Sequence, residues 1–255
     1  MDEAKPNPEK QAIRQQIWKL LAEKGVARYP FPPEGRIPNF DGAQEAARHL
    51  TQSPLWKEAR ILKCNPDAPQ RPVRAVALAE GKIIYMAVPR LREERCFWRL
   101  DPGKIPPEKF QEAATISGAA RWGVAVKPEV IERIDLVVCG SVAVNRHGER
   151  VGKGGGYSEL EWAILCELGK LGPQTPIVTT VHPLQIIEKR IPMAVHDLPL
   201  DLAATPEGLF SFEEHRPKPR GLLWPLLRPS QLSQIPVLRR LQKLHSLKDR
   251  GGPSQ

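Results

Sequence analysis

The densest chemistry in the chain lies in HGERVGKGGGY, residues 147–157. Five glycines surround Arg150 and Lys153, and a tyrosine closes the stretch. Glycine tolerates left-handed torsions and lets backbone N–H groups approach a ligand closely. Basic side chains beside such a loop point to a bound anion, most often phosphate. The P-loop pattern is excluded because Gly154 follows Lys153, where that pattern demands Ser or Thr. The dinucleotide fingerprint is excluded because position 157 is Tyr. A glycine-rich turn between two elements is the plainer alternative. Lys10 and Arg14 add a second basic pair, four residues apart and so on one face of any helix.

Other reactive residues carry weaker patterns. His182 and His196 have no second histidine at ligand spacing, which argues against a metal. No G-x-S-x-G motif occurs, so a hydrolase has no support. PRLREERCFWRL (89–100) combines Arg90, Arg92, Arg95 and Arg99 with Phe97 and Trp98. That mixture suits nucleic-acid contact, or Arg90 can face an anionic ligand, or the stretch is a solvated charged loop.

The elements that must position these residues follow from periodicity. Residues 8–25 read as an amphipathic helix with Ile13, Ile17, Leu20 and Leu21 on one stripe. Residues 29–42, rich in proline, read as loop. A helix is expected near 43–51, a helical turn near 54–59, and another helix over 106–117. VRAVALA (73–79) and KIIYMAV (82–88) read as strands, and PRLREERCFWRL as loop. DLVVC (135–139), PIVTTV (176–181) and residues 201–204 read as buried strands. Residues 158–170 read as a helix with Ser158 as N-cap and Glu161 completing a capping box. Alternating strands and helices predict a three-layer α/β fold with a mainly parallel sheet flanked by helices. The glycine loop then lies between a buried strand and a helix N-terminus, where open α/β sheets bind ligands.

The chain has 255 residues and a net charge of +9. Residues 216–255 carry nine Lys or Arg against one acid, so they account for +8 of that charge. The expected division is therefore an α/β domain over 1–216 and a basic, proline-rich extension over 217–255. A short helix is expected near 236–247, in an otherwise partly disordered tail able to meet RNA or another acidic partner. No apolar run is long enough to span a membrane. The N-terminus lacks the apolar core of a secretory signal. The four cysteines are scattered, consistent with buried thiols in a reducing compartment. The expectation is a cytoplasmic monomer.

In this arrangement the sequence resembles the 5-formyltetrahydrofolate cyclo-ligase family (methenyltetrahydrofolate synthetases). The likeness is carried by Lys10-x-x-x-Arg14 in the first helix and by GERVGKGGGYSE, residues 148–159. It continues in HDLPLDLAATPE, residues 196–207, and the matches keep their order. IRQQIW, RIPNF, DLVVCGSVAV, LEWAI and RPKPRG are similar to a divergent branch, the methenyltetrahydrofolate synthase domain-containing proteins. The resemblance implies ATP- and Mg2+-dependent closure of 5-formyltetrahydrofolate to 5,10-methenyltetrahydrofolate. ATP would phosphorylate the formyl oxygen, N10 would attack the activated carbon, and phosphate would leave. It assigns ATP phosphates to Lys10 and Arg14, and to a wrap of Arg150, Gly152, Lys153, Gly154, Gly155 and Gly156. Lys153 and Arg150 would be catalytic, and Tyr157 and Arg90 would meet the reduced folate. Glu159 with Asp201 or Asp197 would serve magnesium.

The pattern also departs from the family's. Val144 and Asn145 stand for Phe and Asp, Ser158 for a second Tyr, and Glu159 for Asp. Residues 70–74, QRPVR, hold no carboxylate for a pterin ring. The nucleotide half of the pattern is thus better kept than the folate half.

Overall fold

The computed structural model describes residues 7–212 and 214–250. Five parallel strands form the centre of an eight-stranded sheet. Their spatial order is Leu202–Thr205, Ile177–Thr180, Leu136–Val138, Ile61–Cys64, Ile83–Ala87. Gly208–Ser211 extends one edge antiparallel, and Phe97–Leu100 then Val124–Val126 extend the other. Short apolar runs such as LVV and IVTT suit strands that are covered on both faces. Alternate residues supply the two faces. Leu62, Cys64, Leu136 and Val138 pack beneath the helices Ala43–Gln52 and Arg71–Ala79. Val137 and Ile177 pack instead with the helix Tyr157–Glu167 and the C-terminal segment. The three-layer, mainly parallel architecture expected from the sequence is present.

A small second sheet joins Ile186–Ile187, Ala143–Asn145 and Arg150–Val151. The first helix, Pro8–Glu23, packs Ile13, Ile17 and Leu21 against this sheet. Asn7 caps it by accepting the Lys10 N–H at 3.1 Å, which orients the face that carries Lys10 and Arg14.

Several local expectations are corrected. VRAVALA is not a strand but most of the helix Arg71–Ala79. Pro72 lies in its first turn, where no backbone N–H is needed, and three alanines favour the helix. The strand that the sheet requires is ILKC, Ile61–Cys64. In PRLREERCFWRL, FWRL forms a strand that pairs with Ile83–Ala87 and buries Phe97 and Leu100. The helix over 106–117 is broken into Pro107–Lys109, Phe110–Ala113 and Ile116–Trp122. The last of these is capped by Thr115, whose hydroxyl accepts the Gly118 N–H at 2.9 Å.

The tail forms the helix Pro236–Arg250. It does not run free into solvent: Ile235, Val237, Leu238 and Leu241 are buried in the core beneath Tyr157–Glu167. Residues 251–255 of the expected extension lie outside the described residues. No helix among the described residues is long and apolar enough to cross a membrane.

Candidate functional site

The sheet has one topological switch point. From Ile61–Cys64 the chain crosses to Ile83–Ala87 on one side, and later returns to Leu136–Val138 on the other. Ligands of open α/β sheets bind beyond the carboxyl ends of the strands at such a point. Here those ends lead into Asn65-Pro66-Asp67 and Cys139-Gly140-Ser141. The two turns approach closely: a Cβ on Gly140 would lie 2.9 Å from Ile37 and 3.0 Å from Asp67 Oδ2. The hairpin of the small sheet then folds residues 150–156 back over this crevice, with the Arg150 guanidinium donating to Gly140 O at 2.7 Å.

The bare backbone of the loop now has a physical reason. Arg14 Nε donates to Gly152 O at 2.7 Å. A Cβ on Gly154 would lie 3.4 Å from Arg14 Cζ, and one on Gly152 only 3.0 Å from Arg150 Nη1. Two guanidinium groups therefore lie against the loop where side chains would otherwise stand. Gly154 and Gly156 have φ of +101° and +70°, values that favour glycine. Gly156, not Ser158, is the N-cap of Tyr157–Glu167. The Ser158 hydroxyl instead accepts from Asn65 Nδ2 at 2.7 Å, tying the helix start to the switch point.

A cavity of about 510 Å³ opens beside the glycine loop, and none of the switch-point residues 65–67 or 139–141 lines it. Lys10, Arg14, Arg150, Gly152 and Gly154–Gly156 are part of its lining, with the N-terminus of an eleven-residue helix beside them. That helix end adds partial positive charge. Glu159 and Asp197 also line the cavity. Glu159 pairs with Arg150, and Asp197 with Lys10. Arg14 is held by neutral acceptors, Gly152 O and Gln11 Oε1. Burial lowers the Arg14 pKa, Glu159 and Asp197 oppose the shift, and Arg150 adds to it. For Arg150, burial acts downward, but Glu159, Cys139 and Asp197 together hold its pKa above the ordinary value. Arg150 Nε is buried and has no hydrogen-bond partner among the described residues.

The expected site residues thus divide. Lys10, Arg14, Arg150, Gly152, Gly154, Gly155, Gly156, Glu159 and Asp197 converge on the cavity, and His196 joins them. Lys153 is not part of its lining: its ammonium reaches Asp67 Oδ1 at 2.8 Å across the switch point. Asp201 is not brought to the site. Its carboxylate accepts the Ile177 N–H at 2.7 Å and pairs with Lys218 at 2.6 Å, so it ties a strand end to the tail. Arg90 has φ +62° in the turn before Phe97–Leu100 and is exposed, away from the cavity lining. Tyr157 opens the helix and packs on its core side. His182 caps the short turn Pro183–Gln185 by accepting the Leu184 N–H. Gln70 is fully buried, donates to Thr180 Oγ1 at 3.0 Å, and does not line the cavity.

Three buried groups were not expected from the sequence. Lys63 and Glu161 form an ion pair under the helix, with side chains only 2% and 6% exposed. Arg74 is fully buried and donates to the carbonyls of Asn65, Pro66, Asp67 and Ala114. Glu149 gathers Asn145, Arg190, Arg216 and the Ile191 N–H behind the glycine loop. A lysine in the strand ILKC and an Arg in a helix core were the available signals, and both oppose the usual exposure of those residues.

The residues fit a polyphosphate better than a metal held by protein alone. Among the described residues no three acidic, His or Cys side chains cluster as a metal cage. The cationic side chains, the orphan Arg150 Nε–H and the glycine cradle all suit anionic oxygens.

Fold and site together define an α/β-sheet protein with a cationic, glycine-lined cavity at the N-terminus of the helix Tyr157–Glu167. Residues 6–206 match the 5-formyltetrahydrofolate cyclo-ligase family, and the chain belongs to it. Methenyltetrahydrofolate synthase domain-containing proteins of Mus musculus and Homo sapiens are 39% and 34% identical to it, over 237 and 236 residues. Those matches cover 92% and 91% of this chain, but only 63% and 61% of the two relatives. The chain therefore spans about three fifths of the length of these relatives. Among solved structures, the 5,10-methenyltetrahydrofolate synthetase of Aquifex aeolicus aligns with TM-score 0.49 and 18% identity, covering 81% of this chain and 94% of its own. That of Mycoplasma pneumoniae aligns with TM-score 0.42 and 14% identity, covering 76% and 97%.

Proposed function

We propose that the chain binds ATP in the glycine-lined cavity and uses it for ring closure of 5-formyltetrahydrofolate, as its family membership implies. The observation that carries the nucleotide part is the convergence of Lys10, Arg14 and Arg150 on a glycine cradle at a helix N-terminus. Phosphoryl transfer depends chiefly on positioning and charge neutralisation. Arg150 and Arg14 supply fixed positive charge in a partly desolvated site, where it acts strongly. The N–H groups of the glycine loop suit the phosphate oxygens. Lys10 would exchange Asp197 for phosphate when the nucleotide enters. Lys153 lies between the lining residues Gly152 and Gly154 and would leave Asp67 to reach the transferred group. Bound ATP would supply the phosphoryl group that makes the formyl oxygen a leaving group.

A second reading is nucleotide binding without ring closure. It is favoured by residues 70–74, where no carboxylate stands and Gln70 is sealed in the core. One experiment separates the two. 5-Formyltetrahydrofolate is mixed with Mg-ATP, and the methenyl product is followed by absorbance, for the native chain and for Lys153→Ala. ATP-dependent product that falls at least tenfold in the variant supports ring closure. No product, with ATP still raising the Tm, supports binding alone. No product and no ATP protection overturns both readings.

A further inference from the structure

Part of the cavity lining lies beyond the family match. That match stops at residue 206, yet Pro219, Gly221 and further residues up to Gln231 line the same cavity as the cationic loop. Leu222, Leu223, Leu226 and Leu227 contribute to this lining, with Arg228 beside them. Ala163 and Met193 continue the apolar surface.

The segment is fastened in place. Trp162 Nε1 donates to Pro219 O at 2.8 Å, and the Leu222 N–H reaches Glu167 Oε2 at 3.2 Å. Lys218 pairs with Asp201 and donates to Thr175 O at 2.9 Å. Trp224 stacks on His245 of the last helix, with ring centroids 5.2 Å apart. Such a fastened segment can bury its leucines, and it buries Leu222, but Leu223 and Leu226 remain 37% and 54% exposed. Apolar side chains held open on a cavity wall are available to an apolar part of a ligand.

We infer that residues 219–231 are a built part of the ligand site. They receive the flat apolar group of an organic phosphate, so the cavity takes a nucleoside triphosphate in preference to inorganic polyphosphate. The inference rests on the reading of the cationic loop as a phosphate site. Lys10, Arg14 and Arg150 bring charge to the cavity, and the leucines exclude water from a base. Arg228 gives the apolar wall a cation that can stack on a ring or approach a phosphate.

The test is calorimetric titration of the full chain with ATP and with inorganic tripolyphosphate. It is repeated for Leu226→Ser, Leu226→Met and Lys10→Ala. Leu226 is half exposed, so its replacement by Ser should leave the Tm unchanged. The expected result is ATP binding at least tenfold tighter than tripolyphosphate. Leu226→Ser should weaken ATP by roughly tenfold, the scale of a lost apolar contact in a pocket, and leave tripolyphosphate unaffected. Leu226→Met, which restores an apolar wall, should recover the ATP affinity. Lys10→Ala should weaken both ligands. Equal affinities for the two ligands, both lowered by Lys10→Ala and untouched by Leu226→Ser, would overturn the inference and leave the phosphate site standing. Tighter ATP binding in Leu226→Ser would show that the segment obstructs the site, and would also overturn it. No binding of either ligand would remove the phosphate site and the inference together.

Discussion

At the scale of single residues, the glycine block is held by charges placed where water is scarce. Glu149 sits one residue before Arg150. Burial pushes its carboxyl up, but the Ile191 N–H, Asn145, Arg190 and Arg216 together hold it below the usual 4.5. A carboxyl whose folded pKa is depressed contributes stability at neutral pH, and that stability is lost as pH falls through the folded value. Acid unfolding should therefore steepen below pH 4.5, and Glu149→Gln should flatten that limb while lowering stability at pH 7. Urea midpoints across a pH series would show this, and an unchanged slope would remove Glu149 from the account. Lys63 and Glu161 make a sharper case. Lys63→Met leaves the Glu161 carboxyl buried without its partner, a change that costs about 3–5 kcal/mol. Denaturant unfolding measures it, and a loss below about 1 kcal/mol would mean that water reaches the pair. Of the groups that line the cavity, Arg150 was legible because it stands in a glycine-rich stretch that points to an anion, whereas Lys10 and Arg14 were picked out by the family resemblance. Asp67, Lys63 and Glu161 were not legible, because a charge paired only through the tertiary fold leaves no local pattern. Asp201 misled for the same reason: its neighbour Lys218 is close in space and distant in sequence.

At the scale of elements, the loop and the helix after it act as one unit. Gly154→Ala places a side chain at φ +101° and 3.4 Å from Arg14. The backbone term alone costs about 1–2 kcal/mol, and the shift of the strained loop should weaken nucleotide binding as well. Gly172, with open space around it, is the control: Gly172→Ala should leave binding unaltered. Thermal shift with and without ATP compares the two, and equal ATP protection in both would separate the loop from the ligand. Elements with a single strong period were legible. The first helix, the strands DLVVC and PIVTTV, and the helix after the loop all lie within a few residues of where the periodicity places them. VRAVALA reads as a strand because Val76 and Leu78 alternate with alanines, while those alanines and Pro72 decide for helix. ILKC was hidden by its lysine, which is apolar in effect only because Glu161 neutralises it under the helix. FWRL was hidden by the charged residues around it, although its two end residues face the core. The Ser158 capping box failed because both of its members have tertiary partners, Asn65 for the serine and Lys63 for Glu161.

At the scale of the whole molecule, the question is whether the basic tail is an appendage or part of the folding unit. Composition argues for an appendage, since residues 216–255 hold +8 of the +9 net charge. Contacts argue otherwise. Arg216 pairs with Glu149, Lys218 with Asp201, and Arg240 with both Glu94 and Glu129. Three of the nine Lys or Arg residues of this segment thus face carboxylates of the body. Val237, Leu238 and Leu241 meanwhile lie in the same core cluster as Trp162 and Ile164. A segment that buries leucines in a shared core unfolds with that core. Leu238→Ala should therefore cost about 2–5 kcal/mol and shift one cooperative transition. Hydrogen exchange at the Leu238 and Leu241 amides should then report the global stability. An early, separate transition, or rapid exchange at those amides, would mark residues 217–255 as an independent extension. Cooperative unfolding would tie the cavity to the tail at a deeper level, because the wall at residues 219–231 is pinned between two segments of that core. Weakening the last helix should then loosen the wall, so Leu238→Ala should lower ATP affinity under conditions where the protein remains folded. Unchanged affinity would mean that Trp162 and Glu167 hold the wall without help from the helix.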